Sequence, residues 1–206
     1  MKTTILTIAC AGLGLLAIAT PPKTKSVNAD NFKVNSTESS IKWLAKKVTG
    51  EHSGIVNIAG GEITTEGKNL ISATVNVDMT SLDATDLQGE YHDKLVGHLK
   101  SDDFFSVEKF KTATLKIKSA TAIKGAAPTG NNYNIVADIT IKGITQEVKF
   151  PAMIIINSGK VIAVADFNID RSKFDIRYGS KTFFAEIGDK AIDDEFNIKV
   201  RIVANK

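Results

Sequence analysis

Most of this chain alternates apolar and polar residues with a period of two, and that constrains its fold more than any other feature. In "ISATVNVDM", Ile71, Ala73, Val75, Val77 and Met79 share one parity, while Ser72, Thr74, Asn76 and Asp78 share the other. "SSIKWLAKKV", "ATLKIKSA", "YNIVADITIKG", "VKFPAMII", "VIAVADFNID" and "EFNIKVRIV" repeat the pattern. Successive side chains of a strand point to opposite faces, so these runs predict half-buried antiparallel strands. Each apolar face must then be hidden in a sandwich, in a barrel with an apolar interior, or in a membrane barrel with its apolar face outward. A membrane barrel expects tall apolar bands and aromatic girdles. Here aromatics are 7% of residues, there is one Trp, and several outer faces are rich in lysine. The expectation is one all-β domain, an antiparallel barrel of about eight strands. At that size the interior either fills with side chains or holds one small ligand. The inward alanines at 45, 73, 113, 137, 163 and 165 lean toward the second, although small residues also fit the taper of a closed barrel.

Turn chemistry divides the runs. Gly60-Gly61 suits a two-residue hairpin, "NSGK" another, "PTGNN" a longer one, and Gly143 a turn between two strands. Pro151 inside "VKFPAMII" has no N–H to give a ladder, so this strand should lie at an edge or carry a bulge there.

One stretch, "DLQGEYHDKLVGHLKSDDFF", breaks the β-rhythm. Leu87, Tyr91, Leu95 and Leu99 recur every four residues, which predicts a helix docked through that stripe over one end of the barrel. Thr85 and Gln88 have capping-box spacing, and Asp102 is placed to start a second turn aiming Phe104 and Phe105 inward. Gly89 and Gly97 weaken such a helix by up to ~1 kcal/mol each, so its stability must come from docking.

The N-terminus reads as a separate element. Lys2, an apolar run from Ile5 to Ile18, and Ala17 and Ala19 at A-x-A spacing predict a secretory signal peptide over residues 1–19. Residues 20–30 read as a flexible polar lead-in and residues 31–206 as the barrel domain. Cys10, the only cysteine, reads as a small apolar residue of the signal core rather than a lipoprotein anchor. The expected location is therefore periplasmic or secreted. A net charge of +3 with scattered lysines gives no footprint for nucleic acid.

Chemistry-bearing motifs are scarce. His92 and His98 do not share a helical face, His52 lies far away, and no zinc or EF-hand spacing occurs, so no metal site is expected. There is no G-x-S-x-G elbow and no phosphate-cradling loop, so no catalytic residues are assigned.

Three segments, in order and spacing, resemble the YceI-like family. "HLKSDDFFSVEKF" is similar to its His-Leu-basic-Ser-x-Asp-Phe-Phe-x-Val signature, "ADITIKGITQEVKFP" to its strand-turn-strand pattern, and "FNIDRSKFDIRYG" to its late Arg-Ser-x-Phe element. Lys111-Thr112 stands where Pro-Thr is usual, and "YGSKTFFAEIGDKAIDD" resembles an insertion. The resemblance implies a lipocalin-like barrel that binds, stores or transports a long-chain isoprenoid, quinone or similar amphiphilic lipid without catalysis. No other cofactor is implied. On this reading Trp43, Val75, Val77, Leu95, Phe104, Phe105, Ile139, Phe167 and Phe174 are expected to touch the ligand, with His98, Lys100 and Arg171 at a head-group rim. Transient contact with a membrane surface and a homodimer are further options. The alternative is a structural or partner-binding barrel with a filled core.

Overall fold

A computed structural model describes residues 29–206. The signal peptide, Cys10 and most of the lead-in lie outside the described residues. The chain forms β1 (Asp30–Val34), β2 (Ser40–Lys47), β3 (Gly50–Glu66), β4 (Asn69–Ala84), helix α1 (Gly89–Lys100), β5 (Thr112–Ala122), β6 (Tyr133–Ile141), β7 (Ile144–Ile156), β8 (Lys160–Asp170) and β9 (Ile192–Asn205). Strands β2 to β9 pair antiparallel in sequence order, and β9 returns to β2 to close the wall. The barrel thus has eight positions around its wall. The ninth strand, β1, shares the position of β2: both pair with β3 and with β9. Between them Asn35 makes an Asx turn, its Oδ1 accepting from the Thr37 and Glu38 backbone N–H groups.

The predicted parity holds along most strands. Phe150, Ala152 and Ile154 of β7, Val161, Ala165 and Ile169 of β8, and Ile135, Ala137, Ile139 and Ile141 of β6 are all buried. Their outward neighbours, such as Lys42, Lys116, Lys118, Glu147, Lys149 and Arg201, stand in water. That polarity, hydrocarbon inside and charge outside, is the reverse of a membrane barrel.

Two bulges overturn local expectations. Thr64 pairs with Ser72 but Thr65 pairs with Leu70, so β4 carries one extra residue there. The extra residue flips the phase, which leaves Ile71 50% exposed and puts Leu70 in the core. Farther along, Asn57 pairs with Asp78 but Ile55 with Asp83, and Asp78 caps the detour by accepting from the Thr80 N–H. Gly60-Gly61 is not a hairpin, for β3 runs straight through it and turns at Gly67 instead. Both glycines have φ near +150°, and a Cβ on Gly61 would sit 2.2 Å from the Thr74 carbonyl oxygen. Gly61 lets β3 and β4 approach where a side chain would block them, while at Gly60 the requirement is the backbone angle alone.

Pro151 marks the place where β7 leaves β8. The β7–β8 ladder runs only from Ala152–Ala165 to Ile156–Val161. The Ala152 carbonyl and the Ile154 N–H both face the β6 side, where Asn132 meets them. By alternation the Pro151 nitrogen faces β8, just past the last ladder pair, so its missing N–H costs nothing. Phe150 and Phe167 stack across this fork with centroids 4.1 Å apart and planes 7° from parallel.

The two long connections, residues 85–111 and 171–191, cross the same end of the barrel. The opposite end carries the turns at 67–68 and 157–159 and the loop at 123–132.

Candidate functional site

A cavity of about 210 Å³, counted as space for the centres of water molecules, runs along the barrel interior. It reaches from Ile63 and Leu70 near one end to Phe104, Phe105 and Ile192 near the other. Its polar lining residues are Thr114, Arg171 and Asp193; the rest are apolar. A space of ~10–15 Å³ on this measure already holds one water, provided that water finds two to four polar partners. This cavity has room for many waters and almost no partners for them. Hydrocarbon is the occupant it suits.

Seven of the nine residues expected to touch ligand line this space: Trp43, Val75, Val77, Phe104, Phe105, Ile139 and Phe167. Trp43 is held in place by donating its indole N–H to the Asp83 carbonyl. It also lies over Gly54, where a Cβ would come within 2.5 Å of the ring. Leu95 and Phe174 are corrections. Leu95 is half-buried, packed on the core without reaching the cavity, and Phe174, 1% exposed, is packed in the 3-10 turn Arg171–Phe174. Met79, Leu82, Leu99, Phe150 and Phe196 also line the cavity, beyond the nine residues expected to touch ligand. Leu82 lies inside the second bulge, where parity cannot be read.

The helix forms over Gly89–Lys100 but presents a different stripe from the one expected. Leu95, Val96 and Leu99 pack on the core, whereas Tyr91 is 75% exposed and Leu87 precedes the helix. Each residue turns about 100°, so four-residue spacing drifts by about 40° per step, and Tyr91 ends about 80° from Leu99. The expected capping box is absent too. Gln88 is the N-cap with no side-chain bond, while the Thr85 N–H donates to the Ser53 carbonyl. Asp86 accepts from the Ser53 N–H and lies 2.8 Å from His52 Nδ1, which fixes the approach to the helix on β3. After the helix, Ser101 rather than Asp102 caps the next turn, its Oγ accepting from the Asp103 N–H.

His92 ties the helix to the wall, with Nδ1 2.9 Å from Asp93 and Nε2 2.8 Å from Asp83 on β4. The hydrogen bonds to Asp93 and then Asp83 raise its pKa above the ordinary imidazole value. A raised folded-state pKa stabilises fully below the unfolded value and is lost as pH rises through the folded one. We expect the parent to lose a small increment of thermal stability between about pH 6 and pH 8, and His92→Gln to lose less. Thermal melts of the two proteins at both pH values check this; equal slopes would sink it.

The proposed rim divides. His98 packs edge-on against Phe104 and Tyr178, at centroid distances of 5.0 and 4.4 Å, and its Nε2 is 3.4 Å from Asp103. Lys100 is half-buried at the end of the helix and makes no ion pair among the described residues. Arg171 is the main correction, since it is 4% exposed and its guanidinium is occupied. Nε donates to Asp193 O, one Nη to the carbonyls of Ile176 and Tyr178, and the other Nη to Ile192 O. The second Nη also faces Asp194 at 3.4 Å. Burial lowers the Arg171 pKa, against the opposing pull of Asp194, Asp170 and Asp193. Burial pushes the Asp194 carboxyl up, but hydrogen bonds from Ser180 and Thr182 and the Arg171 charge outweigh it and hold the group below its ordinary value. Arg171 therefore staples the 171–191 connection to the barrel; backbone carbonyls take four of its five N–H donors, and the Nη that carries the fifth faces Asp194.

Among the described residues no three His, Cys, Asp or Glu side chains gather as a metal-binding group, and no helix is long and apolar enough to cross a membrane.

Comparison with known proteins gives concordant results. The model of the YceI-like domain matches residues 32–204. UPF0312 protein SAB2563 of Staphylococcus aureus (strain bovine RF122 / ET3-1) is 30% identical over 125 residues, covering 58% of this chain and 63% of the relative. UPF0312 protein SA2479 of strain N315 matches to the same extent, so the chain spans under two thirds of the length of these relatives. Among solved structures, BcnA of Burkholderia cenocepacia superposes with a TM-score of 0.58 at 21% identity, over 84% of this chain and 99% of that one. A polyisoprenoid binding domain from Saccharophagus degradans, implicated in plant cell wall breakdown, superposes with a TM-score of 0.62 at 14% identity, over 84% and 97%. At such identities the superpositions establish a common fold. The family match covers nearly every residue of the closed barrel, and on that ground the chain belongs to the YceI-like family.

Proposed function

We propose that this protein binds a long-chain lipid, of isoprenoid or quinone type, inside its barrel and stores or carries it in the cell envelope without chemical change. The observation that carries this reading is a long hydrocarbon-lined cavity whose few polar groups are largely engaged within the protein. A chain would lie along the axis, and its head would remain at the end crossed by the helix and the 171–191 connection, where His98 and Lys100 stand. The Saccharophagus degradans relative in fold supports the ligand class, and the leader-like N-terminus supports an envelope location.

The energetics are adequate. Burying the five carbons of one isoprene unit yields ~4 kcal/mol at ~0.8 per carbon. A few units therefore offset the cost of ordering a flexible chain, well below the ~20 kcal/mol ceiling on non-covalent affinity. Native mass spectrometry of protein isolated from its own host, with extraction of whatever is bound, tests the reading. We expect one lipid per chain; consistently empty protein under mild isolation would overturn it.

A further inference from the structure

Eight large apolar side chains stand exposed among the described residues, and three of them are aromatics within the seven residues 178–184. Tyr178 is 49% exposed, Phe183 37% and Phe184 51%. A loosely held loop could fold such rings under itself, but this one is braced at its base. Arg171 holds the carbonyls of Ile176 and Tyr178, and Ser180 is fully buried. The Thr182 hydroxyl donates to Asp194, and the N–H groups of Phe183 and Phe184 both donate to the Ser180 carbonyl. The bracing presents the two phenylalanines outward.

Cations accompany the rings. The Arg177 guanidinium lies 5.0 Å from the centroid of Phe183. Lys181 is exposed and makes no ion pair among the described residues; Asp175 and Asp194 are engaged by Arg177 and Arg171, whereas Glu186 and Asp189, farther along the connection, are exposed without an ion pair among the described residues. The patch is also continuous with the cavity. The Tyr178 ring lies 5.6 Å from Phe104, and Phe104 lines the interior.

We propose that residues 178–184 dock the barrel mouth onto a phospholipid bilayer, with Tyr178, Phe183 and Phe184 entering the head-group layer and Arg177 and Lys181 meeting lipid phosphates. Size favours this partner over a second copy of the chain. Three half-exposed aromatic rings offer roughly 200–300 Å², whereas a stable dimer needs about 800 Å² from each partner. Shallow, reversible membrane contact is reached with far less apolar area when cations assist. Tyrosine and cationic side chains are also suited to the interface, each with an apolar body and a polar tip. The purpose of the docking rests on the lipid-carrier reading: a chain could then pass from bilayer to cavity without crossing water.

The test is co-flotation of the protein, as its own host produces it, with vesicles of phosphatidylcholine and phosphatidylglycerol in equal parts. Uptake of an apolar cavity dye is measured separately. We expect the parent to float, and the double variant Phe183→Ser with Phe184→Ser to lose roughly tenfold or more of the bound fraction with dye uptake unchanged. Arg177→Gln with Lys181→Gln should weaken binding to these vesicles and leave the weaker binding to pure phosphatidylcholine unaltered. A parent that stays off the vesicles, or a phenylalanine variant that floats like it, overturns the docking even when dye uptake is intact. A parent dimer dissolved by the phenylalanine substitutions, with no flotation, assigns the patch to a second copy and overturns it as well. Flotation without dye uptake supports the docking and overturns the carrier reading instead.

Discussion

Replacing Arg171 by methionine is expected to lower folding stability by about 3–5 kcal/mol, the cost of breaking a buried ionic network from one side. The substitution keeps most of the apolar stem but leaves four backbone carbonyls, of Ile176, Tyr178, Ile192 and Asp193, without their donor. It also leaves Asp194, whose Oδ1 is buried with no hydrogen-bond donor and only the guanidinium opposite it, without a counter-charge. With a urea m-value of about 2 kcal/mol/M, the unfolding midpoint should fall by roughly 2 M. Lysine should restore little, because a point charge with three donors cannot reproduce a planar fork serving four acceptors. A guanidinium free to hold a head group would give the opposite result: unchanged stability, with selective loss of phosphate-bearing ligands. That outcome would return Arg171 to the binding site.

Placing a ring in the cavity separates the carrier from a barrel with a filled core. Ala113 lies on β5 opposite Val77, is 8% exposed, and lines the cavity. In Ala113→Phe the ring takes space that about three methylenes of a ligand would occupy. At ~0.8 kcal/mol each, affinity for an apolar probe should fall by about 2.4 kcal/mol, roughly 60-fold. The sign of the stability change is the more telling readout. Forcing a ring into a packed interior costs about 1–3 kcal/mol. Filling a void costs nothing and adds contacts, so the ligand-free melting temperature should stay or rise. A clear drop in that temperature, with no probe binding in the parent, would favour the filled barrel.

These two sites show how differently parts of the molecule can be read before the chain is folded. Ala113 belongs to a period-two run, and parity alone puts it inside, opposite Val77 on the next strand. Arg171 sits in a recognisable motif, yet its partners are backbone carbonyls as far as 22 residues away, and a carbonyl has no signature in a sequence. The guanidinium is equally suited to a lipid phosphate or to a loop backbone. Only the path of the 171–191 connection decides between them.

Alternation and turn chemistry alone put the apolar face of nearly every strand inward and place the turns at 142–143 and 157–160 and the break at Pro151. Those properties follow from side chains one or two residues apart, or from the fixed geometry of proline and tight turns. The phase around Ile71 and Leu82, the use of Gly60-Gly61 inside a strand, and the sharing of one wall position by β1 and β2 emerge only when the strands are assembled. Assembly also turned Tyr91 to water and Leu99 to the cavity. A bulge or a close backbone approach exists only relative to the strand beside it, and a helix shows which face is buried only once it meets a wall. Closure of eight such strands then left a space that no local pattern encodes: the volume remaining when small and medium side chains line a ring whose radius is set by strand number and tilt.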